Sequence, residues 1–321
     1  MSNARPLVSI CTPCYNHSRY LRDYFESIIN QTYENIELIM IDDASSDDSV
    51  QIIEQYITRL EKRFVRVCFG VNEKNQGVVT SVNKLINTMQ GKYCKLLASD
   101  DMLKEDAIEK MVDYLEARSE INVCMANAYV VPDDYRYGDS ITRKYRKYYK
   151  KDISEKLNDK DKLFEISLER NLLFAPGVMM NSIIYKKYGL YDERMRFEDY
   201  EFWLRICKQE KIGYIDTCLV YYRLAHTSIS NYTAGEKRKY ENMMIGNMQC
   251  RIKHGRRLGE KRYKEFLKKK FCTEIEYCLE CGYTDIAIKL YNTAIRMDLE
   301  IEYGLLRIIS ESIQGKIQNN Y

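Results

Sequence analysis

Prolines are scarce in this chain, four among 321 residues, and glycines number only fourteen. That leaves no room for a long low-complexity linker. There is one tryptophan, and the three histidines, His17, His226 and His254, are too few for a histidine-rich zinc centre. No apolar run reaches the roughly 18 residues that a membrane-spanning helix needs. No leader peptide precedes the first apolar run, which argues for an intracellular location. Neither sign of charge dominates: 50 Lys and Arg against 47 Asp and Glu give +3. That balance gives no reason to expect a nucleic-acid partner. What is abundant is tyrosine, at 28 residues. Eleven cysteines, an odd number scattered through apolar segments, fit a reducing cytoplasm. Cys11-Thr12-Pro13-Cys14 and Cys278-Leu279-Glu280-Cys281 have redox or metal spacing. Neither has a companion pair nearby, and structural roles are expected for both.

The length suits one large or two small domains. Short β-rich runs alternate with helical periodicity through the first 130 or so residues. Strands are expected at 7–12, 36–41, 66–70, 93–98 and 122–131, with helices between them, the second capped by Ser45 or Ser46 in a box reaching Asp48. That rhythm predicts an α/β fold with a mostly parallel sheet flanked by helices. A basic, tyrosine-rich stretch, 143–151, breaks it and reads as a solvated insertion, a lid, or a contact for an anionic partner. Further strands are expected over 178–185 and 212–222. Beyond about residue 235 only helical patterns remain, so the division expected is 1–235 and a helical subdomain over 236–321. The stretch 251–270 is strongly basic and reads either as a solvated helix face or as a peripheral contact with anionic lipid.

The chemistry concentrates where two strands end. Asp42-Asp43 closes the second expected strand, and Ser99-Asp100-Asp101 closes the fourth. In an open α/β sheet that edge is where ligands bind. Adjacent carboxylates repel unless hydrogen bonds or a cation relieve them. A hard divalent ion, Mg2+ or Mn2+, suits them, and such an ion commonly carries a diphosphate. The plain alternative is a polar turn capping the next helix.

The motifs, in order, resemble the inverting family 2 glycosyltransferases with the GT-A fold. Residues 8–16, ending Pro13-Cys14-Tyr15-Asn16, are similar to that family's opening strand and turn. Gln31-Thr32-Tyr33, Asp42-Asp43-Ala44-Ser45, Asn75-Gln76-Gly77 with Asn83, Ser99-Asp100-Asp101, Glu198-Asp199 with Trp203 and Arg205, and Tyr222-Arg223 with His226 and Ser228 follow in the family's order. The resemblance covers roughly 6–230. It implies that Asp43 accepts from the uracil N3–H of a UDP-sugar beside Pro13, with Tyr15, Asn16, Asp42, Asn75, Gly77, Asn83 and Ser99 around the donor. It implies that Asp101 ligates the metal and Asp100 faces the ribose or sugar. Asp199 would be the general base, and Arg223 and His226 would complete the diphosphate or metal site. Ala98 stands where the family has the first acid of its metal motif, and Val82 where it often has arginine. By this resemblance the protein is a metal-dependent, hexosyl-transferring enzyme acting on a saccharide or lipid-linked saccharide. A degenerate member that only binds a partner is the alternative. A nicotinamide-dependent oxidoreductase is disfavoured, because no G-x-G-x-x-G follows the first strand.

Overall fold

A computed structural model of the protein describes residues 5–141, 146–195, 198–225 and 237–300. The chain divides into two units, Met1–Thr227 and Ser228–Tyr321.

The first unit opens with β1 (Val8–Cys14), α1 (Leu21–Ile29), β2 (Ile36–Asp42), α2 (Ser49–Arg63), β3 (Arg66–Val71) and α3 (Val78–Thr88). There follow β4 (Tyr93–Leu96), β5 (Met102–Leu103), α4 (Ala107–Glu116), β6 (Val123–Pro132) and β7 (Arg146–Lys147). After these come α5 (Ser154–Asn158), α6 (Lys160–Glu169), β8 (Val178–Asn181), α7 (Ile183–Tyr188), α8 (Glu198–Ile206) and β9 (Ile212–Leu224). Helix α1 shows why the helices form. Leu21, Tyr24, Phe25 and Ile28 fall on one face and are fully buried. Each such burial contributes about 1.5–3 kcal/mol.

The strands form one sheet in the order β3-β2-β1-β4-β8-β6-β9-β5, with β7 added to β6. The first four are mutually parallel. Strand β8 runs antiparallel to both β4 and β6, and β9 is parallel to β6. The sheet is therefore of the α/β type expected, parallel in its first half and mixed in its second. Counting directions across it, the C-terminal ends of β1, β2, β4, β6 and β9 share one edge. Strand β8 begins at that same edge.

Two local expectations are corrected. The run 178–185 is not one strand. Asn181 Oδ1 accepts from the Ile183 amide at 3.0 Å, which ends β8 and starts α7. Helix α2 is not boxed by Ser45 and Asp48. Asp47 Oδ1 accepts from the Ser49 amide at 3.0 Å, and the Ser45 hydroxyl is taken by Asp42 instead.

The second unit contains α9 (Lys237–Gly255), α10 (Glu260–Glu280) and α11 (Thr284–Arg296). Tyr263, Leu267, Phe271, Ile275 and Cys278 make a buried stripe down α10 at helical spacing. Met244, Met248, Ile286 and Leu290 pack in the same core. Among the described residues no helix is long and apolar enough to cross a membrane.

Candidate active site

At the end of β2 the chain satisfies its own acids. Asp42 is fully buried and accepts from the Ser45 amide at 2.8 Å and its hydroxyl at 2.6 Å. This shapes a turn in which Ala44 takes φ +60°. Asp43 accepts from Asn72 Nδ2 at 2.7 Å, the Gln76 amide at 2.9 Å and the Gly77 amide at 2.8 Å. A carboxylate offers about four acceptor positions, so roughly one remains on Asp43. Gly77 stands at the start of α3 with φ +87° and ψ 157°, a conformation essentially confined to glycine. That conformation aims two successive amides at Asp43.

The loop after β1 is latched to this turn. Asn16, at φ +53°, donates its amide to Ser45 Oγ at 2.8 Å and accepts from the Ser46 amide at 2.8 Å. Asparagine is among the residues that tolerate such a φ. Tyr15 beside it is 46% exposed and presents an open ring at the edge. Asn75 is exposed on the loop before Gly77.

The end of β4 is built differently. Ser99 Oγ donates to the Pro13 carbonyl at 3.3 Å and meets His17 Nδ1 at 2.8 Å, tying this end to that of β1. Asp101 is buried and accepts from the Arg223 amide at 3.0 Å. Burial, then the neighbouring Asp100 charge, pushes its carboxyl well above the usual range. Asp100 is half-buried, and no donor among the described residues reaches its carboxylate. Of this pair the more accessible carboxylate is that of Asp100, and that of Asp101 is turned inward. A second feature of this end is Lys95, fully buried in β4. Its ammonium donates to the carbonyls of Pro176 and, at 3.1 Å, Val178. Burial lowers its pKa to about 8, and Asp101 works against that fall. The only sequence sign of Lys95 is a lysine inside an apolar run.

Asp199 lies in the first turn of α8 and is half-buried. Asn171 Nδ2 donates to its Oδ2 at 3.2 Å. Burial raises its pKa, against the opposing pull of backbone amides and of Asn171. Trp203, one turn further along α8, also favours the charged form, although its buried indole N–H closes no hydrogen bond among the described residues. Asn171 is on the segment that leads into β8, which begins at the edge where the two acid pairs stand. No sequence pattern pointed to Asn171.

Two expectations change. Arg223 is 1% exposed, and its guanidinium donates to the carbonyls of Asp100 (3.0 Å), Asp133 (2.9 Å) and Tyr135, and to Asp23 Oδ2 (3.3 Å). It braces the loop after β4 and is not free to meet a diphosphate. Asn83 is buried, exchanging hydrogen bonds of 3.0 Å with both backbone groups of Tyr191 and reaching Glu193 at 3.1 Å. It anchors a loop. His226 lies outside the described residues. Arg205 pairs with Glu201 at 2.9 Å and holds the Tyr188 and Leu190 carbonyls, a structural role.

A family model, glycosyl transferase family 2, matches residues 9–173. The chain belongs to that family. An uncharacterized glycosyltransferase of Methanocaldococcus jannaschii is 30% identical to this family 2 glycosyltransferase over 241 residues, 73% of this chain and 76% of the relative. The putative teichuronic acid biosynthesis glycosyltransferase TuaG of Bacillus subtilis is 37% identical over 119 residues, 37% of this chain and 46% of TuaG. Among solved structures, S. aureus TarS 1-349 in complex with UDP-GlcNAc aligns with TM-score 0.58 and 17% identity, covering 87% of this chain and 75% of that one. The mannosyltransferase PcManGT of Pyrobaculum calidifontis, in complex with GDP-Man and Mn2+, also aligns at 0.58, with 12% identity over 99% of this chain and 82% of that one. At those identities the likeness establishes the GT-A fold of this glycosyltransferase.

Proposed function

We propose that the protein transfers a hexose from a UDP-sugar to a hydroxyl of a saccharide or lipid-linked saccharide, inverting the anomeric centre, with Mn2+ or Mg2+. The observation that supports this reading is two acid pairs closing strands on one sheet edge, with a third carboxylate held by the segment that leads to that edge. Asp43 keeps an acceptor position, Asp100 has no donor among the described residues, and Asp199 has a raised pKa.

The uracil N3–H is the donor that Asp43 has room for, and a charged hydrogen bond of that kind is worth about 1.5–3 kcal/mol. The exposed ring of Tyr15 offers the base a face to stack on. Among the described residues no group of three or more metal-binding side chains occurs. Two adjacent carboxylates still fit a hard cation that takes its remaining oxygens from water and phosphate. Asp100 would hold it, with Asp101 beneath. When bound, the cation neutralises the diphosphate as it leaves.

Asp199 does the proton chemistry. Asn171 holds Oδ2, and a carboxylate oxygen takes the proton from the acceptor hydroxyl. That hydroxyl oxygen forms its bond to the anomeric carbon on the face opposite the departing UDP, so the configuration inverts. A raised pKa makes Asp199 a stronger base than an ordinary carboxylate. For an acceptor carried on lipid, the exposed Lys261, Arg262 and Lys269 of α10 are the groups that would meet anionic headgroups.

The test is to titrate UDP with and without Mn2+ and to screen UDP-, GDP- and dTDP-sugars for metal-dependent hydrolysis. A catalyst binds UDP more tightly with Mn2+, and Asp199→Asn loses turnover while keeping that affinity. UDP binding indifferent to metal, with no donor hydrolysed, would leave only a binding protein of this fold.

A further inference from the structure

The tyrosine-rich stretch has no part in the chemistry above, yet it stands against the site. Strands β6 and β9 run several residues past the edge at which β4 stops. They form a wall there, and three aromatic rings from three segments meet on it. Tyr148 stacks on Phe174 with centroids 4.0 Å apart and planes at 26°. Tyr222 meets Phe174 edge-on at 5.0 Å and Tyr148 at 6.0 Å and 80°. Phe174 is buried, Tyr222 is half-buried and Tyr148 is 38% exposed. The result is a corner of two phenol rings backed by a phenyl ring.

The corner is fixed at its base. The Tyr148 amide donates to the Ala128 carbonyl at 2.8 Å. Asn127 brackets Tyr149 through both its amide and its carbonyl, at 3.0 Å each. Residues 147–149 are therefore held on β6 and are not a free insertion. Side chains alternate along a strand, so Tyr222 and Arg223 project to opposite faces. Arg223 goes to Asp23, with its guanidinium 5.1 Å from the Tyr20 ring, and Tyr222 goes to Phe174.

The position relative to the acids is the informative part. Phe174 is three residues beyond Asn171, whose amide holds the Asp199 carboxylate. Tyr222 immediately precedes the Arg223 amide that holds Asp101. Short chain segments thus join the corner to a contact of the base and to a contact of the acid pair. In a transfer reaction the ring bearing the attacking hydroxyl is held close to the base. We propose that Tyr148 and Tyr222, backed by Phe174, form the acceptor subsite and hold one pyranose ring of a saccharide through its C–H face.

The chemistry fits a sugar better than a lipid chain. An aromatic face is the negative part of the ring quadrupole, and the C–H groups on one face of a pyranose carry partial positive charge. Three rings whose centroids lie within 6.0 Å cover about one sugar ring, whereas a lipid chain needs a long apolar groove. A corner whose backbone is already hydrogen-bonded spends little on ordering when the ring arrives.

The inference rests on the glycosyl-transfer reading, and the experiment separates the two. The full chain is mixed with methyl glycosides of glucose, galactose, mannose and N-acetylglucosamine. Saturation-transfer NMR is read from aromatic protons to sugar C–H protons, with phosphatidylglycerol vesicles as a parallel probe. Transfer to at least one glycoside is expected in the wild type and in Tyr148→Phe, and its loss in the Tyr148→Leu/Tyr222→Leu double variant. With a glycoside that accepts sugar, the acceptor KM rises about tenfold in each single leucine variant. The donor KM and UDP-sugar hydrolysis stay unchanged. UDP affinity and melting temperature report whether each variant folds, and the wild-type spectrum needs no variant. Absence of saturation transfer to every glycoside would overturn the subsite, as would tyrosine-dependent binding of vesicles alone. A wild type that binds glycosides at this corner but hydrolyses no UDP-sugar would instead overturn the transfer reading.

Discussion

The two acid pairs look alike in sequence and differ in what the chain does for them. At the end of β2, three donors converge on Asp43 and Ser45 closes on Asp42. At the end of β4, Asp101 receives one backbone amide, and Asp100 receives no donor among the described residues. Donors delocalise the negative charge of the first pair over backbone dipoles. The second pair lacks such donors, and burial, then the neighbouring Asp100 charge, raises Asp101. Two acids closing a strand can therefore make a rigid cradle or an unmet demand for positive charge. Which of the two arises depends on amides supplied from elsewhere in the chain.

The largest effect expected concerns the third acid, whose pKa, like that of Asp101, is raised by burial. Asp199→Asn should lower kcat by about 10^2 to 10^4 with UDP affinity retained. In the wild type the base must be ionised, so activity falls as pH drops through its pKa. Because that pKa is raised, the acid limb of kcat against pH should lie above the ordinary carboxylate range. A limb at the position of a free carboxylate would break the comparison.

Lys95 tests the positive charge beneath the second pair. Its pKa is about 8 in the folded chain and 10.5 when free. Between those values the unfolded state binds more protons, so this group makes stability rise with pH. The gain across that window is roughly 3 kcal/mol. In denaturant melts, wild type minus Lys95→Met should therefore rise from pH 8 to pH 10.5. A flat difference would mean that the ammonium is better solvated than its burial indicates.

The pairs should then separate on mutation. Asp42→Ala leaves the Ser45 donors unmet and should cost about 1–3 kcal/mol of stability. Asp100→Asn should leave the melting temperature unchanged and abolish the tightening of UDP by Mn2+. The opposite pattern would reverse the assignment. Gly77→Ala falls in the same range as Asp42→Ala. An added Cβ meets no atom within 4 Å, so the whole cost is backbone conformation, about 1–3 kcal/mol. UDP affinity should fall with it, because the amides aimed at Asp43 turn away.

The strand ends and their acids were legible because short apolar runs broken by paired carboxylates are local patterns. The alternation of strands and helices was legible for the same reason. The antiparallel entry of β8 was not, since strand direction is set by pairing with β4 and β6. The split of 178–185 hinged on one Asn181 side chain competing for a backbone amide. Arg223 and Asn83 were expected at the ligand because their order along the chain fits a motif. Their hydrogen bonds go instead to loops far away in sequence, which no local pattern records. Which of Asp100 and Asp101 stays accessible turned on which carboxylate faces inward, a matter of one residue's direction at the end of β4.

Arg223 has a consequence for how the enzyme is made. Its guanidinium reaches Asp23 across 200 residues of chain. A nascent polypeptide thus emerges with its acids long before the clamp that seats the loop behind them. Closure of that long-range contact is a late and slow kind of step. Truncated translation products that stop short of the last strand should be inert, whatever portion of the sheet they have already assembled.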